Sequence, residues 1–142
     1  MKTVDWFHKY ISMSIDDRYV YENYFASKEQ KIIIMDYSRM VEVLKIMSKS
    51  AKEQVLYFPS CLCSAEELAL EFNNEGYEIA QKLRINGYLD DEVMTLIDSI
   101  NCELNMIDRE RYISHNNDIE FLNSPPWIKI REIASIIIKK LE

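Results

Sequence analysis

Glycine is nearly missing from this sequence: 2 residues in 142, beside 3 prolines. So few turn-formers exclude collagen, flexible linkers and a turn-dense β-sandwich. Two glycines cannot supply Gly-x-Gly-x-x-Gly, and neither a P-loop nor a Gly-x-Ser-x-Gly elbow occurs, so phosphate-cradling loops and the serine-hydrolase signature are ruled out. Apolar stretches are short. Ile32 to Met35 is the longest, and a membrane span needs ~20 such residues. The start, Met1-Lys-Thr-Val-Asp5, turns acidic at once, unlike a secretory signal. The 3 cysteines (Cys61, Cys63 and Cys102) form no disulfide framework and point to a reducing, cytoplasmic setting, with Cys102 expected in the core. Cys61-Leu-Cys63 is too tight for the usual zinc and thioredoxin spacings. His8 and His115 lie far from it, and neither has a glutamate three residues upstream, as a helical di-metal site requires. Neither metal nor cofactor is therefore expected.

What is present is helical. With 48% hydrophobic and 29% charged residues, the chain reads as one globular domain spanning residues 1–142. Trp6, Phe7, Tyr10 and Ile11 share a helical face. Ser14-Ile-Asp-Asp17 reads as a cap that opens a second helix bearing Tyr21, Tyr24 and Phe25. Ile32 to Met35 fits either a buried strand or the lead-in to a helix, with three β-branched residues leaning toward strand and Asp36 then capping a helix over Tyr37 to Met47. Residues 55–58 are a second candidate strand. Ser64-Ala-Glu-Glu67 reads as a capping box, and Gly76 and Asn86-Gly87 as helix ends. From Asp90 or Asp91, a seam of Val93, Ile97, Ile100, Leu104 and Ile107 repeats at helical spacing. Arg109 to Asn123 reads as polar and irregular. A final helix begins at Ser124-Pro-Pro, where proline's missing N–H costs nothing. Its stripe of Trp127, Ile130, Ala134, Ile137 and Leu141 is widened by Ile128, Ile133, Ile136 and Ile138, which predicts a helix buried on nearly all sides. The fold class that follows is mainly α: a single-domain bundle of five to seven helices, with an optional minor two-strand element.

Charge is the second signal. The net charge is −7, yet residues 64 to 120 alone hold 14 acids against 4 bases. Asp91 and Asp98 lie two turns apart on one flank of the seam helix, with Glu92, Glu103 and Asp108 nearby. Such a face is either a solvated surface that aids solubility or a docking surface for a cationic protein. A polyanion needs Lys/Arg stripes, so nucleic acid is not its direct partner. Aromatics crowd the start: Trp6, Phe7, Tyr10, Tyr19, Tyr21, Tyr24, Phe25 and Tyr37 fall within 37 residues. They cannot all face one way, so some tyrosines are exposed as interface anchors.

The uncompensated acids of residues 64 to 120, the tyrosine-rich start and the Ser124-Pro-Pro-Trp127 helix together resemble the immunity proteins of bacterial toxin systems, of the contact-dependent growth inhibition and colicin kinds. Those families are small, acidic, cytoplasmic and without catalytic motifs. The resemblance implies a stoichiometric inhibitor of a cognate toxin, often a nuclease, and carries no binding residue across by motif. On this reading the protein is no enzyme. Asp91, Glu92, Asp98, Glu103 and Asp108 imitate phosphates over a basic toxin surface, around Tyr88 as anchor, and the chain itself is a monomer or weak homodimer. The rival is a scaffold domain that self-associates through exposed tyrosines and the isoleucine-rich last helix. A hydrolase is the third reading, and it requires a deep pocket lined by carboxylates of raised pKa.

Overall fold

The computed structural model describes residues 4–59, 62–107 and 118–142. Ser14 accepts from the Asp17 amide at 3.1 Å and starts α2 (Ile15–Val20), which runs on as a wider π turn over Tyr21–Phe25. Before it lies α1 (Asp5–Ile11), whose closing carbonyls, Tyr10 O and Ile11 O, accept from the Arg18 guanidinium at 3.2 and 2.6 Å. The long helix α3 (Lys28–Met47) follows, then α4 (Ala51–Tyr57).

Both candidate strands are therefore helix. Ser27 and Gln30 form a reciprocal capping box that launches α3 straight through Ile32 to Met35, and Asp36 sits inside that helix instead of capping it. Three β-branched residues lower helix propensity by only a few tenths of a kcal/mol each (~0.5). The cap and the burial of Ile34, Met40, Val43, Leu44 and Met47 outweigh that.

Next, α5 (Ser64–Glu71), a π turn (Phe72–Tyr77) and α6 (Glu78–Ile85) form one continuous rod. Two expected features fail here. Gly76 does not end a helix. It sits buried in the π turn, where an added Cβ would lie 3.2 Å from Phe72 and 3.6 Å from Val43, so α3 approaches the rod at the one residue without a side chain. Ser64 does not cap α5 either: it is the first helical residue, and its backbone N–H donates to Asp118 Oδ2 at 3.1 Å. Asn86-Gly87, by contrast, ends α6 as expected. Gly87 has φ +83°, and the Tyr88 and Gly87 amides donate back to Leu83 O (2.8 Å) and Arg84 O (3.1 Å).

Asp90 caps α7 (Asp91–Met106) through the Val93 amide at 2.8 Å. Part of the stretch expected to be irregular is α8 (Asp118–Leu122), which buries Phe121 and Leu122. Then comes α9 (Pro125–Leu141), with proline in its first turn. The Ser124 hydroxyl donates to Phe121 O at 2.5 Å and caps nothing. With the π-containing helices taken as continuous, the described residues form eight helical rods and no strand.

The core forms where α9 packs against both α7 and α3, and where α3 crosses the π turn and α6. Trp127, Ile130, Ala134 and Ile137 of α9 meet Val93, Ile97 and Ile100 of α7, as the two stripes require. The wider apolar belt of α9 is not buried, however: Ile128 and Ile136 remain exposed. Cys102 is exposed as well, opposite the α7 seam. A polar knot ties the helix ends together. Gln54, fully buried on α4, donates to Ile46 O and Met47 O at 3.0 and 3.2 Å. Arg131 of α9 donates to Gln54 Oε1 (3.3 Å), Lys49 O (2.6 Å) and Leu122 O (2.9 Å). Among the described residues no helix is long and apolar enough to cross a membrane.

Candidate functional site

The acids of α7 were expected to form an uncompensated anionic face. The structure complements them from other elements. Asp91 pairs with Arg84 of α6. Glu92 pairs with Lys140 at 2.5 Å and Glu103 with Lys129 at 2.8 Å, both lysines on α9. Asp98 accepts from the Tyr77 hydroxyl at 3.0 Å. Asp108 lies outside the described residues. The flank of Asp91 and Asp98 is real, but it is filled by Arg84 and Tyr77. Part of the surplus counted along residues 64 to 120 is met in space by two lysines of the last helix, which packs along α7. Exposed pairs of this kind add little stability, but they set a cation beside three of these four acids.

Tyr88, expected as the anchor, also has partners within the chain. It is half-buried and meets Phe7 and Trp6 edge-on, with centroids 5.3 and 5.9 Å apart. Trp6 in turn stacks on Tyr21, and Phe7 meets Tyr37 at 5.0 Å. The tyrosine-rich start is thus mostly an aromatic cluster that fastens α1 to the body.

A second group of acids, sharing one arginine, collects elsewhere. A shallow cleft of about 250 Å³ lies between α3, α4 and the α5 rod, lined by Arg39, Glu42, Val43, Tyr57, Glu71 and Glu75. Glu67 stands close enough to act on Glu71. Arg39 is the only cation in the lining, and it pairs with Glu75 at 3.7 Å. Burial raises the Glu71 carboxyl above its ordinary value, and repulsion from Glu42, Glu75 and Glu67 adds to the rise. Tyr57 is raised too, by burial and then by Glu71 and Glu42; its hydroxyl donates to Glu42 Oε1 at 3.4 Å. The sequence carried a signal for this site, the i, i+4, i+8 run of Glu67, Glu71 and Glu75, in which like charges repel. Nothing in the sequence brought Glu42 to it.

Chemically, the cleft concentrates negative potential at an open surface and attracts cationic groups. Among the described residues, no group of three or more His, Cys, Asp or Glu side chains is placed to hold a metal ion. Cys63 lies at the start of α5 with its Sγ 3.5 Å from Asp118 Oδ1, and Cys61 and His115 lie outside the described residues. No family model, no curated protein and no solved structure matches this chain.

Proposed function

We propose that this protein is a non-enzymatic inhibitor of the immunity type, acting in the cytoplasm on a basic toxin domain. It covers the cationic surface on which such a toxin would hold nucleic acid. The observation that carries this reading is the cleft of Glu42, Glu71 and Glu75, with Glu67 beside it and one arginine in its lining. Repulsion among these carboxylates costs stability, and a cationic partner relieves it. The cleft takes over the role expected of Asp91, Glu92, Asp98 and Glu103, of which the first, second and fourth are in ion pairs within the chain and Asp98 accepts from Tyr77. Its openness supports a surface contact over a hydrolytic centre, since the third reading required depth and Tyr57 at its wall is 47% exposed.

The test uses the product of the reading frame adjoining this chain's gene, with any toxic activity disabled. A 1:1 complex is expected whose association rate falls steeply with salt. Reversing Glu42 and Glu71 to lysine should slow association by about tenfold or more, whereas reversing Asp91 and Asp98 should change it little. No complex, or a complex indifferent to salt and to the cleft substitutions, would overturn the reading.

A further inference from the structure

Beyond any toxin partner, we infer that the outward face of α2 and its π turn is a contact surface for a second copy of this chain. The inward face of this segment is fully engaged. Arg18 binds the end of α1, Tyr21 donates to Gln30 of α3 at 2.9 Å, and Glu22 accepts from Tyr10. Exposed around the rest of the segment are Ile15 with Tyr19, Val20 with Tyr24, and Phe25, whose ring also stacks on Tyr21. Their exposures run from 44% for Val20 to 85% for Ile15. With aromatic side chains offering about 150–250 Å² each, these five residues present roughly 600–700 Å² of mostly apolar surface. Isolated exposed hydrophobics need no explanation, but a contiguous patch of this size does. Two copies joined across it would bury roughly 1,200–1,400 Å² in total, the lower end of specific interfaces.

Charge identifies the occupant. Residues 14 to 31 hold 4 acids and 3 bases, so two copies meet here almost without the repulsion that a −7 chain carries elsewhere. The charges are also segregated. Asp16 and Asp17 stand at the start of the strip, and Lys28 and Lys31 just beyond its end. All four are exposed, and none is in an ion pair among the described residues. A two-fold contact with the strips antiparallel sets Asp16 and Asp17 of one copy against Lys28 and Lys31 of the other, twice over. An isologous interface requires this kind of self-complementarity. The rival expectation placed self-association on exposed tyrosines and the last helix; of that helix, Ile130 and Ile137 are core residues while Ile128 and Ile136 are exposed.

The experiment is sedimentation equilibrium of the full chain from micromolar to millimolar concentration, with three kinds of variant. The first carries Asp16→Lys and Asp17→Lys, the second Lys28→Glu and Lys31→Glu. Far-ultraviolet circular dichroism checks that each retains its helices. The unmodified chain should dimerise, and each variant alone should dimerise at least about tenfold more weakly, because like charges then oppose each other. An equimolar mixture of the two should recover the dimer, since every facing pair is again opposite in sign. Tyr24→Arg, a third and independent variant, should weaken the dimer as well. A monomer at every concentration, a dimer indifferent to all the variants, or a mixture that does not recover would overturn the inference. So would a monomer that instead co-sediments with phosphatidylglycerol vesicles through the same residues. The result is separable from toxin binding, which rests on Glu42 and Glu71.

Discussion

Glu71 illustrates what a single side chain can report. Its carboxyl is raised in the folded state, so the native protein holds that proton more tightly than the unfolded chain does. The stability it removes is absent below the unfolded value of 4.5, grows as pH rises through the folded value, and is fully felt at neutrality. Glu71→Gln is therefore expected to stabilise the protein at pH 7 and to leave it unchanged near pH 4. The gain should stay below about 1 kcal/mol, because the group is only partly buried and water screens its neighbours. Urea unfolding at the two pH values checks it, and an equal effect at both would show that repulsion is not the cause. None of this was visible from composition. The residues first singled out, Asp91, Glu92 and Glu103, were chosen by counting charges along the chain. Asp91 is answered by Arg84, seven positions upstream, but the bases that answer Glu103 and Glu92, Lys129 and Lys140, are 26 and 48 positions away. Electrostatic complementarity is a property of distance in space, and a sequence window does not contain it.

Helices were easier to read wherever one periodic face met one strong end signal. The α7 seam, the α9 stripe, the Ser14 cap and the Asn86-Gly87 stop all follow from local rules, and they stand where those rules put them. Failures came where a local rule had a competitor. Three isoleucines in a row suggested a strand, while the Ser27-x-x-Gln30 box that starts α3 lay readable just upstream. Gly76 suggested a stop, but its missing side chain serves close packing against Phe72. The two glycines accordingly differ in kind. Gly87 occupies a left-handed position that a side chain strains, so Gly87→Ala should lower stability by roughly 1 kcal/mol. On a domain larger than 100 residues that amounts to a few degrees of melting temperature. A rise in melting temperature would show that the α6 end does not depend on that backbone conformation.

Taken together, the helices are held as much by shared ends as by shared faces. Arg131 and Gln54 bring carbonyls from the end of α3 and the end of α8 into one hydrogen-bonded knot with α4 and α9. Burial lowers the Arg131 pKa, yet the guanidinium stays charged and donates three hydrogen bonds in the knot, to Lys49 O, Gln54 Oε1 and Leu122 O. Arg131→Met keeps the length of the stem and removes every donor. It should destabilise the fold by about 2–3 kcal/mol, as buried acceptors lose a charged partner. Chemical denaturation monitored at Trp127 would measure it, and a loss under about 0.5 kcal/mol, the size of an ordinary surface change, would dismiss the knot as incidental.

The junction of Ser64 with Asp118 has a temporal consequence. An emerging chain makes its amino-terminal half first, but the opening turn of α5 lacks its acceptor until the ribosome has added another 54 residues. Premature termination before that point leaves the first amide of the rod to water.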